Sequence, residues 1–316
     1  MTRFLTAVLL TVFYLITTSL NFYQDRKEIC ITVDDLPYAS VYHKGVVNGI
    51  IITENILNAF KKHGVVALGS VNGGKLQENG EFNQMKFEIL KKWKDNGQML
   101  ANHSFYHNDY NYVSFDVMTD DIIKGEKVLD ELYKTEKFYP RYFRHPYLHR
   151  GNTKQKADSL AYFLSTRGYT EAPVTIDNYD YMFSWVYEKA MQNGDEDMKQ
   201  KIGRDYLNYM KRVLKYYEKQ SEGLFGRNIK HIVLTHANLL NADYFDDLLT
   251  MYEENGYTFI SIDEALKDEC YRSKDEYYKN GGISWVHRWA YTQEKSRDFF
   301  SGEPDAPDYI KELAKH

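Results

Sequence analysis

Cysteine is nearly missing from this chain. Cys30 and Cys270 are the whole supply in 316 residues, so no disulfide framework carries the fold. The two could pair in an oxidising compartment, but Cys30 lies within a run of strand formers, where a buried thiol is the expected state. An excess of basic residues is missing too. The 40 Lys and Arg against 45 Asp and Glu leave a net charge of −5, which argues against a nucleic-acid partner, because such proteins carry a basic face. No internal repeat or low-complexity linker breaks the sequence, and its length suits one large domain or two modest ones.

The N-terminus lacks two further things: a clear small-x-small cleavage site before Asn21, and a cysteine placed for lipid attachment. What it has is a short positive start, Met1-Thr2-Arg3, and an uncharged apolar or hydroxylic run from Phe4 to Leu20. Residues 1–24 therefore read as a secretory signal peptide or an uncleaved N-terminal anchor. The expected destination is outside the cytoplasm: periplasmic, secreted, or held to the membrane through this segment alone. Aromatic residues are abundant at 16%, with 28 tyrosines. Tyrosine suits sugar binding through its ring and hydroxyl, yet core packing is the first expectation for most individual tyrosines.

Strand-like and helix-like stretches alternate after the leader. The spacing predicts strands at Ile29–Val33, Val65–Leu68, Gln98–Ala101, Tyr142-Phe143, Ala172–Ile176, Ile232–Thr235 and Tyr257–Ile260. Between them it predicts helices over 47–62, 82–94, 116–133 and 153–166, with a short one at 263–267. The charged, tyrosine-rich stretch 182–228 is too long for one crossover helix and is expected to form two. This is an α/β pattern: a parallel sheet or barrel with helices outside. Residues 25–268 are assigned to it, and 269–316 to a C-terminal extension packed upon it, in which Trp285–Trp289 is the obviously buried piece.

The chemistry gathers at strand ends, where α/β barrels place their sites. Ile29–Val33 runs straight into Asp34-Asp35, two carboxylates that need a cation or metal to compensate them at the tip of a core strand. His103-Ser104-Phe105-Tyr106-His107 puts two imidazoles four residues apart, which on one helical turn would face the same way. Alone, such a pair is more often a surface turn. Joined to an aspartate it becomes a two-histidine, one-carboxylate set with open positions, suited to Zn²⁺ and similar ions in a catalytic role.

Five motifs stand in order: Thr32-Val33-Asp34-Asp35, His103 to His107, Arg144-His145-Pro146-Tyr147, Asp177-Asn178-Tyr179-Asp180, and Leu234-Thr235-His236. This series resembles that of the polysaccharide deacetylases, the NodB-homology group of carbohydrate esterases (family four), over about residues 28–266. The resemblance implies an irregular, often incomplete (β/α) barrel, here with a helical insertion before the fifth motif. It implies a divalent metal (Zn²⁺ first, Co²⁺ or Ni²⁺ as alternatives) bound by Asp35, His103 and His107. Asp34 would be the general base with Arg144 as its orienting partner. His236 would be the general acid, held by Asp180. Tyr147, Tyr181 and Leu239 are candidate pocket walls, and the backbone N–H of Tyr147 a candidate oxyanion donor.

Each residue has a plainer rival: Arg144 a surface salt bridge, Asp177 and Asp180 caps of the following helix, His236 a satisfied histidine at a strand end, the pocket walls ordinary core. Capping is the favoured reading of Asp177. The joint order of all five motifs is what lifts the functional reading. The chain also departs from the family pattern. Leu36-Pro37 follows the paired aspartates where glycine is usual, Tyr181 replaces a tryptophan, and Ala237-Asn238 follows His236 where aspartate is usual. The expected activity is removal of acetyl groups from an N-acetylated polysaccharide or glycan. The alternatives are deacylation of another substrate on the same site, or a carbohydrate-binding barrel without activity.

Overall fold

The computed structural model describes residues 27–315; the N-terminal segment read as an export signal or anchor lies outside them. Strand β1 (Lys27–Leu36) is the axis of the sheet. It is buried over most of its length, as expected of a parallel strand covered on both faces. Around it stand β2 (Leu68–Val71), β5 (Met99–Asn102), β6 (Arg141–Phe143), β7 (Tyr169–Glu171) and β8 (His231–His236), in the order β7-β6-β5-β2-β1-β8, all parallel. Strand β9 (Tyr257–Phe259) pairs with the N-terminal end of β1. The small hairpin β3 (Gln77–Glu78) and β4 (Glu81–Phe82) stands apart.

The ring closes irregularly. Residues 169–171 pair with β6, and a few residues later Ile176 bridges Val233 of β8. One segment thus serves both sides of the gap. The expected strand Ala172–Ile176 is therefore displaced: the regular strand is β7, and 172–176 is the irregular continuation that crosses to β8. The second strand also lies three residues later than the sequence pattern suggested, because Val65 to Ala67 serve as the exit from the preceding helix.

Helices α1 (Val46–His63), α2 (Gln84–Asp95), α3 (Phe115–Leu132) and α4 (Lys154–Thr166) follow successive strands. Caps fix their ends: Asn83, Ser114 and Thr153 each accept a backbone N–H of the first turn. The insertion forms two helices, α5 (Asp180–Gln192) and α6 (Glu196–Phe225). Helix α7 (Leu239–Glu254) follows β8 and stands outside the predicted helices, although its buried residues Leu239, Ala242, Phe245, Leu249 and Tyr252 keep helical spacing. The chain ends with α8 (Ile262–Ala265), α9 (Trp285–Thr292) and α10 (Asp308–Leu313). Among the described residues no helix is long and apolar enough to cross a membrane.

Strand alternation sorts the core. Ile29, Ile31 and Val33 belong to the large cluster shared with the helices, whereas Cys30 joins Leu68, Ala101, Tyr142, Ala172 and Ile232. Along β1, Cys30, Thr32 and Asp34 thus share one face, with Asp34 at its C-terminal end. The tyrosines mostly pack the core. Tyr206, Tyr209, Tyr216 and Tyr217 line one side of α6, all buried, with hydroxyls bonded to Asn241, the backbone N–H of Tyr179, His287 and Glu303.

Candidate metal centre and active site

The residues singled out from sequence converge at the C-terminal ends of the strands. Asp34 and Asp35 end β1, His103 follows β5, Arg144 follows β6, and His236 ends β8. They border a cavity of about 660 Å³ whose lining includes Asp34, Asp35, Lys75, His103, His107 and His236.

Asp35, His103 and His107 offer ligand atoms that lie within 4.8 Å of one another. The Nε2 atoms of the two histidines are 3.2 Å apart. Two nitrogens bound to one tetrahedral Zn²⁺ stand about 3.3 to 3.4 Å apart. Asp35 Oδ1 is 3.7 Å from His107 Nε2 and 3.9 Å from His103 Nε2, and it is buried with no hydrogen-bond partner. His103 Nδ1 donates to the Arg144 carbonyl at 2.8 Å, which turns the Nε2 lone pair toward the site. Burial pushes both imidazoles down, His107 to about 4 with its neighbour His103 contributing. Asp35 is driven the other way. Burial would raise its pKa, but Lys75, His107, His236 and His103 together hold it well below the usual carboxylate range. Neutral imidazoles and an ionised carboxylate are the states in which these groups bind metal, so the residues present fit a divalent ion.

The histidine pair does not sit on a helical turn. Residues 103–107 form an irregular loop in which Ser104 (φ 60°) and His107 (φ 57°) are left-handed. Side chains hold it instead: Ser104 N–H donates to Asn102 Oδ1, His107 N–H to Ser104 Oγ, and Tyr106 N–H to Asp121 Oδ1. Among the described residues, five of the seven non-glycine residues with positive φ, namely Asp35, Ser104, His107, Tyr147 and Leu148, belong to this site. Strain of this kind persists where the surroundings over-determine it.

Asp34 is buried, with Oδ2 3.8 Å from His103 Nε2 and Oδ1 3.4 Å from Arg144 Nε. Arg144 is no surface residue. It is fully buried, and its Nη2 donates to Thr32 Oγ1 at 2.7 Å, one strand pleat below Asp34. On the opposite side, His236 Nδ1 donates to Asp180 Oδ1 at 2.7 Å, leaving Nε2 for the cavity. Burial alone would depress this imidazole, but Asp180, then Asp35 and Asp34, raise it to about 9. Asp180 is wholly buried and accepts also from His236 N–H and Asn241 Nδ2, both at 2.8 Å.

Two expectations are corrected, for Asp177 and Leu239. Asp177 does not cap α5: its Oδ1 accepts the N–H of Asn178, and the residue lines the cavity. Burial, with Glu303 and Asp180 adding, pushes its carboxyl up to about 7. Asp180 begins the helix and its carboxylate contacts His236, the arrangement the resemblance implied, rather than closing the first turn. Leu239, the first residue of α7, packs in the core, and Leu234 and Leu148 line the cavity instead. Tyr147 and Tyr181 do border it. Tyr147 is half exposed against the His107 ring at 4.5 Å, and Tyr181 lies 6.2 Å from the His236 ring. Leu36, standing where glycine is usual, turns into the core. It packs so closely on Gly69 that a Cβ there would lie 2.4 Å from Leu36 Cδ1.

Several contributors were invisible in the sequence. Glu188 is buried and accepts from Ser40 Oγ and from the N–H groups of Val41 and Tyr42, pinning the loop after β1. Gly282 brings the C-terminal region to the rim, where a Cβ would lie 1.9 Å from the Tyr147 carbonyl oxygen. A chain of polar contacts ties that region to the third motif: a hydrogen bond from His145 and an ion pair from Arg150 to Glu171, and ion pairs from Arg150 and Arg288 to Asp275. Asn238 and Asn241, three apart at the start of α7, carried a capping signal in their spacing; the rest had none.

The family model for polysaccharide deacetylases matches residues 23–163. The peptidoglycan-N-acetylmuramic acid deacetylase PdaA of Bacillus subtilis is 30% identical over 226 residues, covering 71% of this chain and 69% of that protein. Among solved structures, the chitin deacetylase of the fungal pathogen Colletotrichum lindemuthianum aligns with a TM-score of 0.47 at 19% identity, covering 78% of this chain and 90% of its own. A CE4 family pseudoenzyme from Bacillus anthracis aligns with a TM-score of 0.48 at 17% identity, covering 77% and 66%. At that likeness neither structure assigns a role to any residue here.

Proposed function

The chain belongs to the polysaccharide deacetylase family, and from that premise we propose that it is a divalent-metal-dependent hydrolase that removes acetyl groups from the nitrogen of an N-acetylated glycan. One observation carries the reading: Asp34, the Asp35–His103–His107 set and His236, backed by Asp180, border a single cavity. A pure sugar binder has no use for a base and an acid on either side of a metal set. Zn²⁺ is the first candidate for the donor set, with Co²⁺ or Ni²⁺ as substitutes. When bound, the metal supplies Lewis acidity, polarising an amide carbonyl and easing the deprotonation of water.

The remaining work falls to the chain. Asp34 accepts the proton of the attacking water, and Arg144, anchored on Thr32, keeps its carboxylate aimed at the site. The backbone N–H of Tyr147 is the candidate donor to the oxyanion. His236 delivers a proton from Nε2 to the departing amine nitrogen as the C–N bond breaks, with Asp180 holding the opposite ring nitrogen. The products are a free amine and acetate. Export through the N-terminal segment would bring the protein to cell-wall glycans, and the relative acting on peptidoglycan N-acetylmuramic acid makes that polymer the first substrate to try.

The test is acetate release from peptidoglycan strands and N-acetylated oligosaccharides, by wild type and by Asp34→Asn. Metal-dependent release abolished in the variant is the expected result. Tight glycan binding with no release by wild type, on any N- or O-acetylated substrate, would point instead to an inactive carbohydrate-binding barrel.

A further inference from the structure

Lys75 follows β2 on a single 3-10 turn, Gly73–Leu76, at the edge of the cavity. Its Nζ stands 3.1 Å from Asp35 Oδ2, and it donates to the carbonyl oxygens of Asp35 at 3.1 Å and Tyr38 at 3.3 Å. An ammonium has three N–H groups, and three oxygens of the loop after β1 surround it. The turn itself is fastened to the histidine loop: Gly73 N–H donates to Ser104 O at 3.2 Å and Gly74 N–H to Phe105 O at 2.6 Å. A Cβ on Gly74 would lie 2.5 Å from that Phe105 oxygen, so the approach requires glycine. Lys75 is thus locked between the two loops that carry Asp35, His103 and His107.

The Asp35 carboxylate is divided as a result. Oδ2 faces Lys75, while Oδ1 is buried, has no hydrogen-bond partner and faces both histidine Nε2 atoms. We propose that Lys75 is a positioning residue that withholds Oδ2 of Asp35 from the metal and presents Oδ1 alone. The inference rests on the reading of Asp35, His103 and His107 as metal ligands. Its consequence is chemical. A carboxylate binding through one oxygen leaves more positions open for water and substrate. A cation on the other oxygen draws electron density from the ligand, so the metal is held less tightly but remains more acidic. Lys75 is not itself a substrate ligand, because its donors are spent within the loop.

The test uses the full chain with Co²⁺ as the probe, reading affinity by chelator competition and donor number from the visible absorption bands. Because a positive charge beside the ligand is removed, Lys75→Met is expected to bind Co²⁺ about tenfold more tightly, opposite in sign to the roughly 10–100-fold loss that follows removal of an ordinary supporting partner, and to shift the bands to the weaker pattern of higher coordination. Its kcat should fall with KM little changed, and Lys75→Arg should restore the wild-type spectrum. Lys75→Gln, read by the same criteria, replaces the methionine variant if that fails to fold. A variant with the wild-type spectrum and affinity, or one that binds Co²⁺ more weakly with no change in donor number, overturns the proposal, since Lys75 would then only hold the loops together. A wild-type chain that takes up no Co²⁺ would refute the metal reading itself, a different failure from wild type that binds and variants that match it.

Discussion

Asp180→Asn separates the charge of the buried carboxylate from its shape. Asp180 lies wholly buried beside His236, and its two oxygens accept from His236 Nδ1, His236 N–H and Asn241 Nδ2. Asparagine keeps one acceptor oxygen and sets an NH₂ against donors, which costs about 1–3 kcal/mol of stability. The catalytic effect is larger and depends on pH. Burial opposes protonation of His236, and Asp180 is the strongest of the groups that overcome it and raise the imidazole from 6.5 to about 9. At about pH 8 an imidazole titrating near 9 is roughly nine-tenths protonated, while one returned to 6.5 is roughly 3% protonated. The acid form then falls about 30-fold. A bound metal lowers both values, so the shift of the upper limb, not its position, is the quantity to compare. The assay is the pH profile of kcat for acetate release, with the fold checked by circular dichroism. The upper limb should move down by more than about one pH unit. The sign for stability follows: a folded-state value above 6.5 contributes stability fully present below that pH and lost as pH rises through about 9. An upper limb that stays in place in a folded variant would refute the assignment of His236 as the acid.

Other expected outcomes are more local. Thr32→Val removes the hydrogen-bond acceptor under buried Arg144 and the donor to Val233 O; urea unfolding should show a loss of about 2–3 kcal/mol, with kcat reduced more than KM. Asp275→Ala leaves Arg150 and Arg288 facing each other without their shared carboxylate; a loss of about 3–5 kcal/mol is expected in the same assay, and unchanged stability would show that the C-terminal region does not brace the third motif. Cys30 and Cys270 are buried free thiols, and burial pushes Cys30 up to about 12; iodoacetamide should label neither in the native protein and both in denaturant, as mass spectrometry would reveal.

Much of this architecture was legible because β1 announces itself. Five apolar or hydroxylic residues entering two carboxylates leave few readings, and the alternation that follows specifies a parallel α/β fold. The functional side chains sit next to strand ends, so motif order placed them near their true positions. Tertiary closure was not legible. The displaced strand at 172–176 owes its path to the gap between β6 and β8, which no local propensity encodes. The His103–His107 loop resembled a helical turn in spacing, but left-handed Ser104 and His107 and the Asn102 and Asp121 side chains override that period. Lys75 and Glu188 act on loops distant in sequence, so nothing near either residue marks its role. Asp177 illustrates the opposite error: an aspartate ahead of a helix suggested a cap, whereas the helix starts too late for it and burial leaves its carboxyl in the cavity wall.

The central claim is that Asp35, His103 and His107 form a metal site at the ends of β1 and β5. The most direct test is elemental analysis of the purified chain after reconstitution with Zn²⁺, alongside His103→Ala and His107→Ala. About one equivalent of tightly held metal per chain, lost in both folded variants, is the result expected of a three-ligand site. No bound metal in wild type, or equal metal in all three proteins, would contradict it.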